Sequence, residues 1–304
     1  MTERPRTQAS HGIPDGPDAL RLALRGIEAL LIDVDGVLVL KGQPLPGAPE
    51  ALARLERSGV PFLLATNTSL VSRAGLAAGL ARRGMVVPPE RIQSALSAAA
   101  AAARRIAGER PVYALVAGDA RAELDGLRLL SPDEVDAGVD AAVVLVADPS
   151  EEFDWANLQR AFRLLRGGAR LVAAHKNRWW LTPAGETIDA GAFVAGLEYS
   201  AQVRALVAGK PSRTFYGEAV RRLGVPAAGV AMLGDDLWQD VIGAQRAGLR
   251  GILVLGGRHG EAELERAARD GLGGPDGMVR DLAGAVEALL VGLPAERGTA
   301  RAQE

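Results

Sequence analysis

The sequence predicts an α/β fold, a doubly wound parallel sheet with a second, smaller α/β domain inserted into it. Three observations carry this expectation. Short apolar runs such as Leu30-Leu31-Ile32 and Val230-Ala231-Met232-Leu233 have the length and composition of strands buried in a covered parallel sheet. Helix-forming stretches lie between them, and several end at a glycine. The runs stop at acids, hydroxyls or amides, and in open α/β sheets the reacting groups collect at the carboxyl ends of strands.

The chain has 304 residues, 48% hydrophobic and 24% charged, enough for a large core and two domains. Its formal net charge is -2, so no whole-protein field favours nucleic acid or an anionic membrane. It contains no cysteine, which excludes thiol nucleophiles, thiolate metal sites and disulfides and fits a reducing cytoplasm. His11, His175 and His259 are far apart, without metal-ligand spacing. No run of 18 apolar residues suggests a membrane span, and no basic start with an apolar core suggests a signal peptide. A cytoplasmic protein is therefore expected. Residues 1–17 read as a flexible arm and 293–304 as a flexible tail.

In chain order, a short lead-in helix is expected over Asp18 to Arg25, then the first strand, which runs into Asp33-Val34-Asp35-Gly36. If the strand continued, the two acids would share a side, and Gly36 lets the chain turn away. Two carboxylates this close repel unless a cation lies between them, and a hard divalent ion with oxygen ligands, most simply Mg²⁺, relieves the repulsion. The plain alternative is a strand-end turn with two solvated acids. After a Gly- and Pro-rich loop, Ala48 to Ser58 reads as a helix stopped by Gly59. Strand Val60 to Ala65 then delivers Thr66-Asn67-Thr68-Ser69 ahead of a helix over about 71–83. These hydroxyls either cap that helix or bind phosphate oxygens, and both can hold at once.

A second βα series follows: an Ala-rich helix from Ser94 to Ile106, strands at 112–117 and 141–147, a helix from Asn157 to Arg166, and a strand from Arg170 to Ala174. It leads into His175-Lys176-Asn177-Arg178-Trp179-Trp180, read as an aromatic and basic loop that is either anchored by a Trp or selects substrate. Residues 93–206 are expected to form the inserted domain, with 18–92 and 207–292 as the core. Lys210 is one of three lysines, and a compact ammonium at a strand end suits a phosphoryl group and a carboxylate. Pro211 is placed to open the next helix, which runs to Leu223. The last diagnostic stretch, Gly234-Asp235-Asp236-Leu237-Trp238-Gln239-Asp240, ends another buried strand, and Asp236 or Asp240 could merely cap the helix there. A strand from Gly251 to Leu255 and a helix from Leu282 to Leu290 complete the series.

Asp-Xaa-Asp-Gly, Thr-Asn-Thr, a lone Lys and Gly-Asp-Asp with a further Asp, each at a strand end in this order, are far more specific together than singly. Over about residues 27–290 the chain resembles the haloacid-dehalogenase-like hydrolases, subfamily IIA, whose Rossmann-like core carries a large inserted α/β cap. His175 to Arg178, Gly191-Ala192-Phe193, Leu197-Glu198-Tyr199, Val207 to Pro211, and Asp240-Val241 with Gly243-Ala244-Gln245 suggest the branch typified by phospholysine phosphohistidine inorganic pyrophosphate phosphatase.

The resemblance implies Mg²⁺-dependent hydrolysis of a small phosphorylated substrate in two half-reactions. Asp33 would be the nucleophile and Asp35 the general acid and base. Asp33, the main-chain carbonyl of Asp35, and Asp235 would hold Mg²⁺, with Asp236 or Asp240 orienting the groups around it. Thr66, Asn67 and Lys210 would grip the transferring phosphoryl group. His175, Asn177, Arg178 and Trp179 would select the leaving group from the cap, through which relatives commonly dimerise. A signalling receiver module shares some of these residues but is about a third as long, with no inserted domain and no need for Asp35 two residues after the nucleophile. A dehalogenase shares the fold but needs no metal, and a protein that binds a phosphorylated partner with incidental hydrolysis is the third reading.

Overall fold

The computed structural model describes residues 16–148, 153–182, 185–256, 264, 266–267, 269–271 and 273–292. The expected tail lies outside this set, as does all of the expected arm except Gly16 and Pro17. The chain divides into two compact units, one formed by the described residues up to Val60 and from Ala228 onward, the other by Pro61–Ala227. Among the described residues no helix is long and apolar enough to cross a membrane.

The first unit begins with helix α1 (Pro17–Ala23) and strand β1 (Ala29–Asp33), every residue of which is buried. The strand ends at Asp33, because a tight turn follows in which Gly36 N–H donates to the Val39 carbonyl at 2.7 Å. Short strands β2 (Val39–Leu40) and β3 (Gln43–Pro44) pair antiparallel. Helix α2 (Ala48–Ser58) then runs as the sequence predicts, burying Ala51, Leu52 and Leu55, and stops at left-handed Gly59.

The second unit opens with strand β4 (Phe62–Thr66), helix α3 (Arg73–Ala81) and strand β5 (Ile92–Ser94), which pairs parallel with β4. Helix α4 (Ala95–Ala107) follows directly, with Ser94 and Ser97 forming a reciprocal cap. The alanine run is a buried helix at the centre of this unit, packed on its sheet, where small side chains let the backbones approach. Next come β6 (Val112–Leu115), a 3₁₀ segment at Gly118–Leu124, α5 (Pro132–Asp136), β7 (Val143–Val146), α6 (Trp155–Arg166) and β8 (Arg170–Ala173). An antiparallel hairpin of β9 (Trp179–Thr182) and β10 (Gly185–Ile188) takes up the end of the stretch read as a loop. Helix α7 (Ala190–Ala201), β11 (Leu206–Val207) and α8 (Arg213–Leu223) complete the unit. Its parallel sheet has the order β11-β8-β7-β6. Pro211 does not open α8, since Ser212 caps it and accepts from Phe215 N–H at 3.2 Å.

The chain returns to the first unit with β12 (Val230–Gly234), a π-helical turn at Leu237–Ile242, α9 (Gly243–Arg246), β13 (Arg250–Val254), β14 (Gly277–Val279) and α10 (Leu282–Val291). Here β1, β12, β13 and β14 are successive neighbours, all parallel, while α10 packs against α1 and α2. The α/β class and the parallel sheet are those the apolar runs predict. Unbroken burial of β1 and β12 explains why their sequences read as continuous rather than alternating.

Candidate active site

Parallel pairing of β1 with β12 sets Ile32 opposite Leu233, so the two strands end side by side and release Asp33 and Asp235 at one end of the sheet. The π-helical turn after β12 brings back a third acid, Asp240. Carboxylate oxygens of Asp33, Asp235 and Asp240 all lie within 4.8 Å of one another, and all three residues are buried. Such a turn in place of a regular helix start often marks a functional position.

Two glycines make room for these acids. Gly36 has φ +98°, and a Cβ built there would lie 2.1 Å from Asp235 Oδ2. A Cβ on Gly234 would lie 2.2 Å from the Asp240 Cβ. Neither position admits a side chain while the acids stay in place. Three buried carboxylates at this spacing repel strongly in a medium of low polarisability. A donor set made only of oxygen, packed to one point, fits a hard divalent cation such as Mg²⁺.

Asp35 differs from Asp33. The strand has already ended, so strand alternation does not apply, and Asp35 is exposed while Asp33 is buried. Its main chain bridges to Val39 in the turn.

The structure also separates the two acids that the sequence left as alternatives. Asp236 caps the π-helical turn, accepting from Trp238 N–H at 2.9 Å and Gln239 N–H at 2.8 Å, with Gln239 Nε2 donating to it at 3.1 Å. Asp240 belongs with the acidic cluster, and its Oδ2 accepts from Asp236 N–H at 3.2 Å.

The remaining predicted residues lie in the second unit. Thr66 is buried at the end of β4, and its Oγ1 accepts from Thr68 N–H at 3.2 Å. It does not cap α3, a role taken by Ser72, whose Oγ accepts from Gly75 N–H at 3.0 Å. Asn67 holds the main chain of Lys210 from both sides: Asn67 Nδ2 donates to the Lys210 carbonyl at 3.0 Å and Asn67 Oδ1 accepts from Lys210 N–H at 2.8 Å. Lys210 is itself buried.

Among the cap candidates the structure sorts buried from exposed. His175 is buried, with Nε2 3.1 Å from Ser69 Oγ and Nδ1 3.4 Å from Asn177 N–H. The second contact makes Nδ1 the acceptor, so the proton is on Nε2 and points to Ser69. Burial pushes the His175 pKa below its usual value, against the opposing charges of Asp189 and Asp148, so the ring is neutral near pH 7. Asn177 is half-buried, whereas Arg178 and Trp179 are exposed, Trp179 on the hairpin. Ser69 and Asp189, whose Oδ2 lies 4.0 Å from His175 Nδ1, are partners that the sequence reading did not single out. Ser69 adjoins the Thr-Asn-Thr motif and Asp189 precedes Gly191-Ala192-Phe193, so neighbouring motif residues were the available signal.

Acids gathered at the ends of adjacent parallel strands in the first unit, and a buried lysine clamped by an asparagine in the second, are features of an α/β hydrolase. The chain belongs to the haloacid dehalogenase-like hydrolases: a family model of that description matches residues 30–129, and one described as HAD-hydrolase-like matches 207–287. Within 244 aligned residues it is 36% identical to haloacid dehalogenase-like hydrolase domain-containing protein 2 of Bos taurus, covering 80% of this chain and 89% of that protein. Against the human phospholysine phosphohistidine inorganic pyrophosphate phosphatase the identity is 33%, covering 88% and 96%. A crystal structure of a glycerol phosphate phosphatase from Mycobacterium tuberculosis, in complex with magnesium, superposes with a TM-score of 0.74 at 27% identity, covering 86% of this chain and 77% of that one. The family and the branch named for phosphatases are therefore those the four motifs resemble.

Proposed function

We propose that the protein is a Mg²⁺-dependent phosphatase acting on a small phosphorylated substrate, a phosphomonoester, diphosphate or phosphoramidate, through an aspartyl-phosphate on Asp33. The observation that carries this reading is the convergence of the buried Asp33, Asp235 and Asp240 carboxylates within 4.8 Å, spaced by glycines that admit no side chain.

Asp33 attacks phosphorus, and the bond to the leaving group breaks as Asp35 gives that group its proton. Asp35, now a carboxylate and open to solvent, takes a proton from water. The resulting hydroxide displaces Asp33 from phosphorus, releasing phosphate and restoring both acids. Asp33, the Asp35 carbonyl and Asp235 would hold Mg²⁺ with Asp240 beside them, and the ion when bound supplies positive charge against the phosphoryl oxygens. The Thr66 hydroxyl and the Lys210 ammonium donate to those oxygens, where preorganised donors contribute most. Asn67 acts one step back by fixing the Lys210 main chain. Asp236 fixes the turn that presents Asp240. Residues 93–206 serve as the cap that chooses the leaving group, with His175 and Asn177 holding its loop and Arg178 and Trp179 facing outward. Two copies would pair through this block.

Phosphate release from a panel of phosphomonoesters, pyrophosphate and phosphoramidates, with and without Mg²⁺, tests the reading. Release that requires Mg²⁺ and disappears in Asp33→Asn is expected. Release that persists in Asp33→Asn would sink it.

A further inference from the structure

A second concentration of charge lies wholly within Pro61–Ala227, among residues that play no part in the hydrolytic reading. Helices α3, α4 and α8 line a cleft of about 530 Å³, within the range of small-molecule sites. Five arginines line it, Arg73, Arg104, Arg105, Arg221 and Arg222, against two carboxylates, Glu123 and Glu218. The cleft thus carries an excess of three positive charges.

The charges are layered. Both carboxylates form the floor, their side chains only 5% exposed. Glu123 accepts from Arg73 N–H and Arg73 Nε, each at 2.7 Å, while Arg104 Nη2 donates to the Glu123 and Asp125 carbonyls. Glu218 accepts from Arg105 Nη1 at 2.8 Å and from Arg221. Burial raises the pKa of Glu218, but the bonds from Arg221 and Arg105 outweigh it and keep the group a carboxylate. Meanwhile the side chains of Arg105 and Arg221 stay 53% and 67% exposed, so each guanidinium is fixed along one edge and turned to solvent along the others.

Arg222 is half-buried, with Nη1 donating to the Ile92 carbonyl at 3.0 Å and Gln93 Oε1 at 3.1 Å and Nη2 donating to the Glu90 carbonyl. Burial and then the charge of Arg73 push its pKa down.

We propose that this cleft binds a diphosphate group, free or carried by a nucleoside. A phosphate monoester carries about 1.5 to 2 negative charges near neutral pH. Two linked phosphoryl groups, at about three, match the excess of the cleft. Guanidinium forks already oriented by carboxylates bind phosphoryl oxygens at little further entropic cost.

The test is isothermal titration of the full-length, metal-free protein with methylenediphosphonate, whose P–C–P bridge resists hydrolysis. Saturable binding of one ligand per chain is expected, weakening as NaCl is added. In Arg105→Gln/Arg221→Gln, which removes both solvent-facing guanidinium charges, affinity should fall at least about tenfold, while Asp33→Asn should bind as the wild type does. ADP binding no tighter than methylenediphosphonate would assign the site to free diphosphate, and tighter binding to a nucleoside diphosphate. Hydrogen exchange on the wild type needs no variant and should show protection of α3, α4 and α8 on adding the ligand. No binding, no protection there, undiminished affinity in the arginine variant, loss in Asp33→Asn, or equal affinity for inorganic phosphate would each overturn the proposal.

Discussion

The acidic cluster of the first unit and the arginine cleft of the second solve the same problem in opposite ways. In the cluster three charges of one sign are buried within 4.8 Å, held by close packing around Gly36 and Gly234. In the cleft both signs alternate, the carboxylates form the floor, and the arginine heads of Arg105 and Arg221 remain in water. Buried like charges cost stability unless a partner of opposite sign arrives. Interleaved charges at a surface cost little and contribute little. The first arrangement is therefore the stronger sign of a bound ion, and the second is legible only through its surplus.

Breaking the cluster gives the largest expected effect. Asp33→Asn should lower phosphate release by about three orders of magnitude or more. In the same variant the metal-free protein should gain about 1 kcal/mol or more against urea, because one repelling charge is gone. An unchanged urea midpoint would show that the acids do not strain the fold.

The packing side of the comparison is sharpened by Gly36→Ala. The added Cβ meets Asp235 at 2.1 Å and the backbone has φ +98°, so a loss of about 2–4 kcal/mol is expected by chemical denaturation. The Mg²⁺-induced rise in thermal midpoint should shrink with it.

Two hydrogen bonds from Asn67 hold the Lys210 main chain. Asn67→Ala removes both bonds to it and should cost about 1–3 kcal/mol, with turnover down about ten- to a hundredfold. Asn67→Asp, which keeps the acceptor for Lys210 N–H, should retain more of both than Asn67→Ala does.

The smallest effect concerns pH. His175 is neutral and buried with its pKa lowered, so below the ordinary histidine value of about 6.5 the unfolded chain takes up a proton that the folded one refuses. Stability is complete above that pH and declines as acid is added. His175→Gln should flatten the decline between pH 6.5 and 5, measured by urea denaturation, and equal slopes for both proteins would remove the histidine from the account.

Legibility in the sequence followed burial. Strands β1, β4 and β12 are buried along their whole length, so their apolar runs were visible and the acids and hydroxyls after them stood out. Helix α2 was found residue for residue because an amphipathic face and Gly59 marked it. The sequence reads His175 to Trp180 as a loop and gives no strand signal for β10, which alternates between half-buried and exposed and offers no apolar stripe. Strand β5, three residues long and continuous with the cap of α4, has no signal of its own. Asp236 and Asp240 looked equivalent because both begin a helix in sequence, and only the π-helical turn gives them different directions. Ser69 and Asp189 meet His175 through contacts distant in sequence, which no local pattern encodes.

The Asn67 clamp on Lys210 joins residues 143 positions apart. Everything between them is thus a closed loop whose two ends are pinned at one point, as in a cassette. That pin does not act alone, since inside the cassette Gln93 Nε2 donates to the Phe215 carbonyl and Arg105 to Glu218, so a grafted block would keep its footing only where these two partners travel with Asn67 and Lys210.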